Sequence, residues 1–263
     1  MKQNITRMLA MMLAGSIVFF AACKKDAKSP GSEIPQDVIS RIEAQGFKTT
    51  GIQKVPEGYL VEGDIILTED DINYNGNSPE LIVANEEHYR TNKLVSAPRN
   101  ITVSVNTTAA PFPAALAEAL SRYNNENLQL TFTQTSGSAD IDIQTYYQVS
   151  NVLGSSGFPK GGRPYGTIKM NTYWYNSNSN VNWVASIITH EMGHCIGYRH
   201  TDYMDRSYSC GGTAYNEGSA GVGAVWIPGT PTGPSANSWM LSCSDGRDRP
   251  FTSSDKVALS TVY

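Results

Sequence analysis

The segment that constrains this chain most reads HEMGHCIGYRH and begins at His190. On a helix, side chains four residues apart share a face, so His190 and His194 present their imidazoles to one point. Gly197 ends that helix, because a residue without a Cβ atom readily adopts the left-handed conformation that turns the chain back. The turn brings His200 to the same point from outside the helix. The spacing therefore predicts a three-histidine metal site.

Three neutral imidazoles that leave a fourth coordination position open are typical of catalytic Zn²⁺. Glu191, beside the first ligand, is placed to reach a water on that ion rather than the ion itself. The alternative interpretation is a helix that carries histidines on its surface. Three of the four histidines in the chain fall in this one motif, which favours the metal site.

These residues resemble the zinc signature of the metzincin metallopeptidases. The stretch HEMGHCIGYRHTDY is most similar to that of the bacterial dual-action HEIGH metallopeptidases, and more distantly to that of astacins. The resemblance implies an α+β fold, with a mixed twisted sheet packed on the active-site helix and a smaller irregular lower subdomain. It also implies a methionine in a tight turn beneath the zinc. Met240 fits that place, whereas Met204 follows His200 too closely to leave room for a loop and return.

Two positions depart from the astacin pattern. Ser242 stands where astacins can carry a zinc-binding tyrosine, two residues after the turn methionine. Thr201 stands where astacins have an acidic residue directly after the third histidine. These departures argue against a tyrosine ligand and make the resemblance to astacins the weaker of the two.

The composition is that of an ordinary soluble globular protein. A length of 263 residues suits one main domain with appendages. Hydrophobic residues make up 40% of the chain and charged residues 17%, with a formal net charge of −4. No basic stripe with interleaved aromatic residues is present, so nucleic acid is not an expected partner. The expected partners are a protein or peptide substrate and a membrane, and we expect a monomer.

The N-terminus has the features of an export signal. Lys2 and Arg7 form a basic start, and the apolar run Met8–Ala22 is too short for a membrane span. The run ends in FAACK, which is similar to a bacterial lipobox, so residues 1–22 are a predicted lipoprotein signal peptide and Cys23 the lipidated residue. We expect an exported bacterial lipoprotein anchored in the outer membrane, periplasmic or surface-facing. The alternative is an ordinary secretory signal with an incidental cysteine.

Export implies an oxidising compartment, where cysteines form disulfides. Cys210 and Cys243 flank the loop between the third histidine and the predicted methionine turn. Cys195 lies within the zinc helix, where a small apolar residue packs well. The prediction is a Cys210–Cys243 bridge with Cys195 free and buried.

The rest of the chain is predicted to form three further segments. Residues 23–35 are the lipidated cysteine and a polar tether, residues 36–99 a propeptide-like region, and residues 100–263 the zinc metallopeptidase domain. Arg90, Lys93 and Arg99 lie in a polar setting near the end of the second segment. We expect a linker there that proteases can reach.

From residue 100 the pattern becomes regular. Ile101, Val103 and Val105 alternate as in a half-buried strand, Pro113 opens a helix, and two more alternating stretches follow. This order of strand, helix, strand and strand predicts a crossover connection in a mixed sheet. Pro164–Thr172 is another predicted strand. By resemblance to metzincins it is the sheet edge, where an extended substrate pairs with the main chain.

Asn180–Ile196 is the predicted zinc helix, and beyond His200 the chain becomes rich in glycine and proline, which predicts loops. Tyr215 and Trp226 are the large apolar side chains of this part. They either line one wall of a specificity pocket or fill the lower subdomain, and the sequence leaves both interpretations open.

The chemistry that the motif predicts is peptide hydrolysis. Zinc lowers the pKa of its water to about 7, and Glu191 then accepts the proton and later passes it to the departing amine. The alternative function is a non-proteolytic surface lipoprotein, a binding or adhesion module whose metal is structural. A structural site needs a fourth protein ligand, and Asp202 or Asp205 is near enough in sequence to close it.

One further segment suggests latency. The run VEGDI, which begins at Val61, resembles the Phe-x-Gly-Asp motif of astacin propeptides, in which the aspartate binds zinc in place of the catalytic water. By this resemblance Asp64 is a candidate latency ligand, since zinc accepts carboxylate oxygen. We expect Gly63 to let the backbone approach the cleft where a side chain would clash. The alternative is a glycine–aspartate turn in an ordinary strand.

Overall fold

The N-terminal part of the structure is a helix, a three-stranded antiparallel sheet and a second, short helix. The computed structural model describes residues 34–73, 80–81, 88–218, 221–231 and 233–263. The predicted signal peptide, Cys23 and nearly all of the tether lie outside these residues. The first elements are α1 (Gln36–Ala44), β1 (Gln53–Val55), β2 (Gly58–Val61), β3 (Ile65–Leu67), α2 (Glu69–Ile72), β4 (Glu80–Leu81) and β5 (Tyr89–Arg90).

These N-terminal elements share a small apolar core with the rest of the fold. Its buried side chains are Val38, Ile42, Phe47, Tyr59, Val61, Ile65, Leu67 and Ile72, together with Phe158 and Val222 from later in the chain. A single residue, Thr68, connects β3 to α2. It caps α2 in a reciprocal capping box with Asp71. The region predicted to resemble a propeptide is therefore folded onto the remainder of the chain.

A five-stranded mixed sheet comes next, in the order β7-β6-β8-β10-β9. Its elements are β6 (Arg99–Val105), α3 (Phe112–Asn124), β7 (Leu130–Gln134), β8 (Ile141–Tyr146), β9 (Gly154–Ser155) and β10 (Thr167–Asn171). Helix α3 crosses between the parallel strands β6 and β7, and buries Leu116, Leu120 and Tyr123. The predicted order of elements, the mixed sheet and the α+β class are confirmed.

The edge of this sheet was predicted at the wrong strand. Strand β10 pairs with β8 on one side and with β9 on the other, so β9 is the edge. Strand β9 is antiparallel to β10, whereas the remaining neighbours are parallel. A strand that covers only Gly154–Ser155 is too short to produce an alternating pattern.

The histidine helix α4 (Val181–Ile196) packs beneath this sheet and against α3. It begins where the Asn180 side chain accepts hydrogen bonds from the backbone of Asn182 and Trp183. It ends at Gly197, whose φ of 113° is left-handed. A Cβ atom on Gly197 would lie 2.6 Å from the carbonyl oxygen of Lys93, so both the conformation and the close approach require glycine.

The last part of the chain is mostly irregular, as expected. It contains α5 (Ser207–Cys210), β11 (Ala224–Trp226) and α6 (Ser253–Val262). Cys210 and Cys243 are joined by a disulfide, and Cys195 is buried and free. Strand β11 lies between β4 and β5 in a small third sheet, so it pairs with residues from the N-terminal side of the chain.

The residues around Arg90, Lys93 and Arg99 do not form the accessible linker that was predicted. Tyr89–Arg90 is a strand, and Arg99 begins β6. The amide of Thr91 donates to the Gly197 carbonyl at 2.7 Å, which fixes the segment to the end of α4. Polar composition was misleading here, because the backbone is paired while several side chains remain exposed. The division at residues 99 and 100 stays a prediction.

Within the described ranges, no helix has both the length and the apolar character needed to cross a bilayer.

Candidate active site

The three histidines of the motif converge on one point. His190 and His194 lie one turn apart on α4, and His200 follows the turn at Gly197. The Nε2 atoms of His194 and His200 are 3.1 Å apart. Each ring engages its other nitrogen elsewhere: Nδ1 of His190 contacts the Trp239 carbonyl at 2.9 Å, and Nδ1 of His194 contacts the Tyr198 carbonyl at 2.9 Å. The Nε2 atoms are therefore the ones presented to a metal.

The donor set fits zinc. A tetrahedral ion with Zn–N distances of 2.0–2.1 Å separates its ligand atoms by about 3.3–3.4 Å. The spacing between His194 and His200 is close to that value. Burial and the two neighbouring imidazoles hold the pKa of His194 well below its usual value, so this ring is neutral and able to bind. His190, His194 and His200 are the residues that would hold the ion.

Asp64 completes this group of donors. Its Oδ2 lies 3.0 Å from Nε2 of His200 and 3.7 Å from Nε2 of His190. One ligand atom from each of the four residues lies within 4.8 Å of the others. Burial alone would raise the pKa of Asp64, but the charge of His200 and hydrogen bonds from both imidazoles hold it well below its usual range. Asp64 is thus an anionic oxygen donor aimed at the metal position.

The backbone before Asp64 turns through two left-handed residues. Glu62 has a φ of 57° and Gly63 a φ of 94°. The expected reason for the glycine was wrong, since a Cβ atom on Gly63 would meet nothing within 4 Å. Glycine is favoured there by its positive φ, which residues with a Cβ atom adopt at a cost of order 1 kcal/mol. The turn lets Asp64 point into the cleft while the chain continues into β3.

The segment that follows this turn occupies the edge of the main sheet. The Ser156 amide donates to the Asp64 carbonyl at 3.0 Å, and the Ile66 amide donates to the Ser156 carbonyl at 2.7 Å. Ser156 directly follows β9, so the N-terminal segment extends the sheet at the strand nearest the histidines. A peptide that paired with this edge would need the same two backbone groups.

Glu191 lies beside the metal position with its carboxylate buried. Oε2 accepts a hydrogen bond from the Ser156 hydroxyl at 2.7 Å. On the other side the β9 backbone is so close that a Cβ atom on Gly154 would lie 2.9 Å from Oε1. Burial and then the negative charge of Asp64 raise the pKa of Glu191 well above its usual value. A carboxylate with a raised pKa is suited to accept a proton.

Sequence reasoning missed Glu217, which contacts the third histidine. Its Oε1 contacts Nδ1 of His200 and Nη1 of Arg206, and its Oε2 lies 3.0 Å from Nη2 of Arg199. Burial would raise the pKa of Glu217, but the charges of His200 and Arg206 hold it far below its usual range. The sequence did offer one signal for Glu217: it is the only charged residue between Arg206 and Asp245, in a loop rich in glycine.

Met240 lies beneath the histidine helix, as the resemblance implied. It is fully buried, and a Cβ atom on Gly193 of α4 would lie 2.5 Å from its Sδ. Its neighbour Trp239 supplies the carbonyl that orients His190. Met204 packs elsewhere, with the cluster around Tyr89 and Tyr203.

The two aspartates considered as closing ligands have other roles. Oδ1 of Asp202 accepts from the Ser242 amide at 2.9 Å and from its hydroxyl, which ties the chain after His200 to the methionine turn. Asp205 accepts from the Ser207 amide at 3.0 Å. Among the described residues, the donors grouped at the metal position are the three histidines and Asp64. Neither Asp202 nor Asp205, which the alternative of a structural metal offered as a fourth ligand, is in this group.

The site opens into a cleft with a volume of about 680 Å³. Tyr215 lines it, together with Glu62 and Arg206, so the pocket interpretation holds for this side chain. Trp226 instead packs against the cluster of Tyr89, Tyr203 and Ala224, and donates from Nε1 to Thr230 Oγ1 at 3.1 Å. For Trp226 the subdomain-filling interpretation is correct.

Comparison with known proteins adds one informative match. Residues 60–263 match the family described as dual-action HEIGH metallo-peptidase. No curated protein matches the chain. Among solved structures, myroilysin is similar over 65% of this chain and 86% of its own, with 13% identity and a TM-score of 0.41. High choriolytic enzyme 1, a hatching enzyme zinc-protease from the medaka fish Oryzias latipes, is similar over 57% of this chain and 74% of its own, with 17% identity and a TM-score of 0.34. Both structural likenesses are distant, so conclusions about the site depend on its own geometry.

Proposed function

Because the family match spans residues 60–263, the chain belongs to the dual-action HEIGH metallo-peptidases, and we propose that it is a zinc-dependent endopeptidase with Glu191 as general base. The observation that carries the proposal is the convergence of three imidazole Nε2 atoms beside a buried carboxylate. The Nδ1 atoms of all three rings have acceptors, which orients the rings toward one ion. A histidine cluster without such a carboxylate would bind metal without a base for hydrolysis.

Zinc held by His190, His194 and His200 would supply a water with a pKa near 7 and a Lewis acid for the carbonyl of the scissile bond. Glu191 accepts the proton of the attacking water and delivers it to the leaving amine. The Ser156 hydroxyl holds the carboxylate of Glu191 in place. The backbone of Ser156 offers one donor and one acceptor to an extended peptide, which aligns the scissile bond with Glu191.

We further propose that the N-terminal region holds the enzyme latent. Asp64 lies where the catalytic water would bind, at 3.0 Å from Nε2 of His200. The same segment occupies the two backbone groups of Ser156 that a substrate would use. Both the water position and the peptide position are therefore filled by one segment, which supports latency until that segment leaves.

One observation favours the alternative of a structural metal. With Asp64 included, the donor set contains four protein ligands, which is the number in a closed structural zinc site. The two functions differ in what happens when Asp64 is removed and the segment is released. A structural site loses stability, whereas a latent peptidase gains activity.

The experiment uses a chain that can be cut between Asn73 and Glu80. A recognition sequence for a specific external protease is inserted there, and the cut protein, called the clipped chain, is compared with the uncut one. Casein cleavage is measured for both, with and without Asp64→Ala, after loading with one equivalent of zinc. Asp70→Ala is the matched control, because Asp70 belongs to the same region but forms an ion pair on the surface with Lys160.

We expect the uncut chain to be inactive and the clipped Asp64→Ala chain to be the most active. Asp70→Ala should behave as the unaltered chain does. Adding Glu191→Ala should keep stoichiometric zinc and reduce the rate by at least about 10²-fold, whereas His200→Ala should lose both metal and activity. Zinc-loaded clipped Asp64→Ala protein that cleaves nothing would overturn the proposal and favour the structural metal.

The cellular location remains a proposal based on sequence. We propose that the chain is an exported bacterial lipoprotein, with Cys23 lipidated and residues 24–35 as tether. The basic start, the apolar run and the FAACK stretch support this. Several acyl chains on Cys23 would anchor the protein firmly, at about 0.8 kcal/mol per buried CH₂ group.

A further inference from the structure

The carboxylate of Glu62 lies beside the metal position, in a pocket whose polar groups suit an anion. It is fully buried, although it belongs to the segment that precedes Asp64. Its Oε2 accepts a hydrogen bond from the Tyr215 hydroxyl at 3.2 Å, and its Oε1 accepts from the Lys48 amide at 2.9 Å. Oε2 also lies 3.4 Å from Nε of Arg206. Two of these three partners, Tyr215 and Arg206, lie in the part of the chain that carries the histidines.

Arg206 shares its guanidinium among Glu217, His200 and Glu62. Nη1 contacts Glu217, the carboxylate that orients His200, and lies 2.9 Å from Nδ1 of His200 itself. Nη2 donates to the Glu62 carbonyl at 2.8 Å, while Nε has only the ion-pair contact with the Glu62 carboxylate and no hydrogen bond within the part of the chain that the structure describes. The Nε and Nη2 edge of a guanidinium is the fork that binds a carboxylate through two parallel hydrogen bonds. Glu62 covers that fork but satisfies only Nη2, through its backbone carbonyl.

The position of this site relates it to the substrate. Glu62 stands two residues before Asp64, which occupies the metal position. Glu62, Asp64, Arg206 and Tyr215 all line the same cleft. When the N-terminal segment leaves, Arg206 and Tyr215 stay, and the cleft loses two carboxylates. Arg206 keeps Glu217 at Nη1, but its Nε and Nη2 edge loses both contacts with Glu62, so the vacated site favours a peptide that brings a carboxylate of its own.

We propose that Arg206 and Tyr215 form a substrate subsite for an acidic side chain within two residues of the scissile bond, and that Glu62 fills this subsite in the latent chain. This inference rests on the proposed peptidase function. It assigns a substrate class, polypeptides with Asp or Glu beside the cleaved bond. The negative side chain would receive two hydrogen bonds from the guanidinium fork and one from the Tyr215 hydroxyl.

The test is the cleavage preference of the clipped Asp64→Ala chain. Fragments of a mixed peptide library are identified by mass spectrometry, which gives the residues on both sides of every cut. We expect Asp and Glu to be enriched at one position within two residues of the cut. A peptide with Glu at that position should have a kcat/KM about 10- to 100-fold above that of its Gln counterpart, the range for hydrogen bonds to a charged group.

Variants assign the preference to the two side chains. Tyr215→Phe removes one donor without touching Glu217, so it should reduce the ratio of kcat/KM for the Glu peptide to that for the Gln peptide several-fold. Arg206→Gln should remove the preference, so that the Glu and Gln peptides have about equal kcat/KM. Arg247→Gln is the control, because Arg247 lines the same cleft but is exposed and paired with Asp245. If Arg206→Gln fails to fold, the Tyr215→Phe result decides.

The possible failures are distinct. Cleavage without any acidic preference would overturn this inference and leave the peptidase function standing. A preference that survives Tyr215→Phe and disappears in Arg247→Gln would also overturn it, because a different cation would then read the substrate. Cleavage of no peptide at all would instead refute the peptidase function on which the inference rests.

Discussion

Replacing Glu217 with glutamine should weaken zinc binding although residue 217 is not a ligand. The carboxylate contacts Nδ1 of His200 and compensates two arginines, Arg199 and Arg206. All of these side chains are at most 3% exposed, so solvent does not screen the charges. Glutamine keeps an oxygen that can accept from His200 but carries no charge.

The expected losses of zinc affinity and of stability follow from the two roles of Glu217, which orients His200 and compensates the two arginines. Loss of an anion that orients a histidine ligand reduces metal affinity by about 10- to 100-fold, or roughly 1.4–2.8 kcal/mol. Removing one partner of a buried ion pair costs about 3–5 kcal/mol of folding free energy. A domain has only about 5–15 kcal/mol in total. Glu217→Gln should therefore fold with clearly reduced stability and with weakened zinc binding.

Zinc affinity would be measured by competition with a chelating dye, and stability by urea unfolding in excess zinc. Asp71→Asn is the control, because Asp71 is also a buried carboxylate but caps α2 and pairs with Lys93. It should lower stability and leave zinc affinity unchanged. A folded Glu217→Gln protein whose zinc affinity stays within about threefold of the original would refute a positioning role.

Three further outcomes are expected. Cys210→Ser with Cys243→Ser opens a loop of 33 residues and should lower the free energy of unfolding by about 2–4 kcal/mol, with non-reducing peptide mapping as the check that this pair is bridged. In the metal-free protein, burial acts to lower the pKa of His200, but Glu217 and Asp64 prevail and raise it from 6.5 to about 10. The folded state then binds this proton more tightly than the unfolded chain, so its contribution to stability is complete below pH 6.5 and is lost as pH rises through about 10. Unfolding in a chelator across that range should show the decline, and excess zinc should abolish it. Finally, Cys23→Ser should release the protein from membranes and prevent labelling with a palmitate analogue, and unchanged labelling would contradict lipidation at Cys23.

The convergence of the three histidines, and the helix that carries two of them, were predictable because their constraints are local. The four-residue spacing of His190 and His194 and the left-handed turn at Gly197 act within a few residues of sequence. The place of Met240 was carried by resemblance instead, since nothing local links residue 240 to the helix above it.

The partners of these residues could not be predicted in the same way. Glu217 reaches His200 across a glycine-rich loop, and Ser156 reaches Glu191 from a strand of two residues. Neither contact leaves a periodic pattern, because each depends on how distant segments pack. The pairing of Tyr89–Arg90 with β11 was hidden for the same reason.

The apolar core that includes Phe158 and Val222 depends mostly on the N-terminal region. Eight of its ten buried side chains belong to residues 38–72. Phe158 also touches the ring of His194, with centroids 5.6 Å apart. Departure of the N-terminal region would bare Phe158 and Val222 to water beside a zinc ligand, at about 25 cal/mol for each Å² of apolar surface exposed. If activation removes this region, as proposed, the remaining chain would be less stable than the intact one, so the active form would unfold sooner than its precursor.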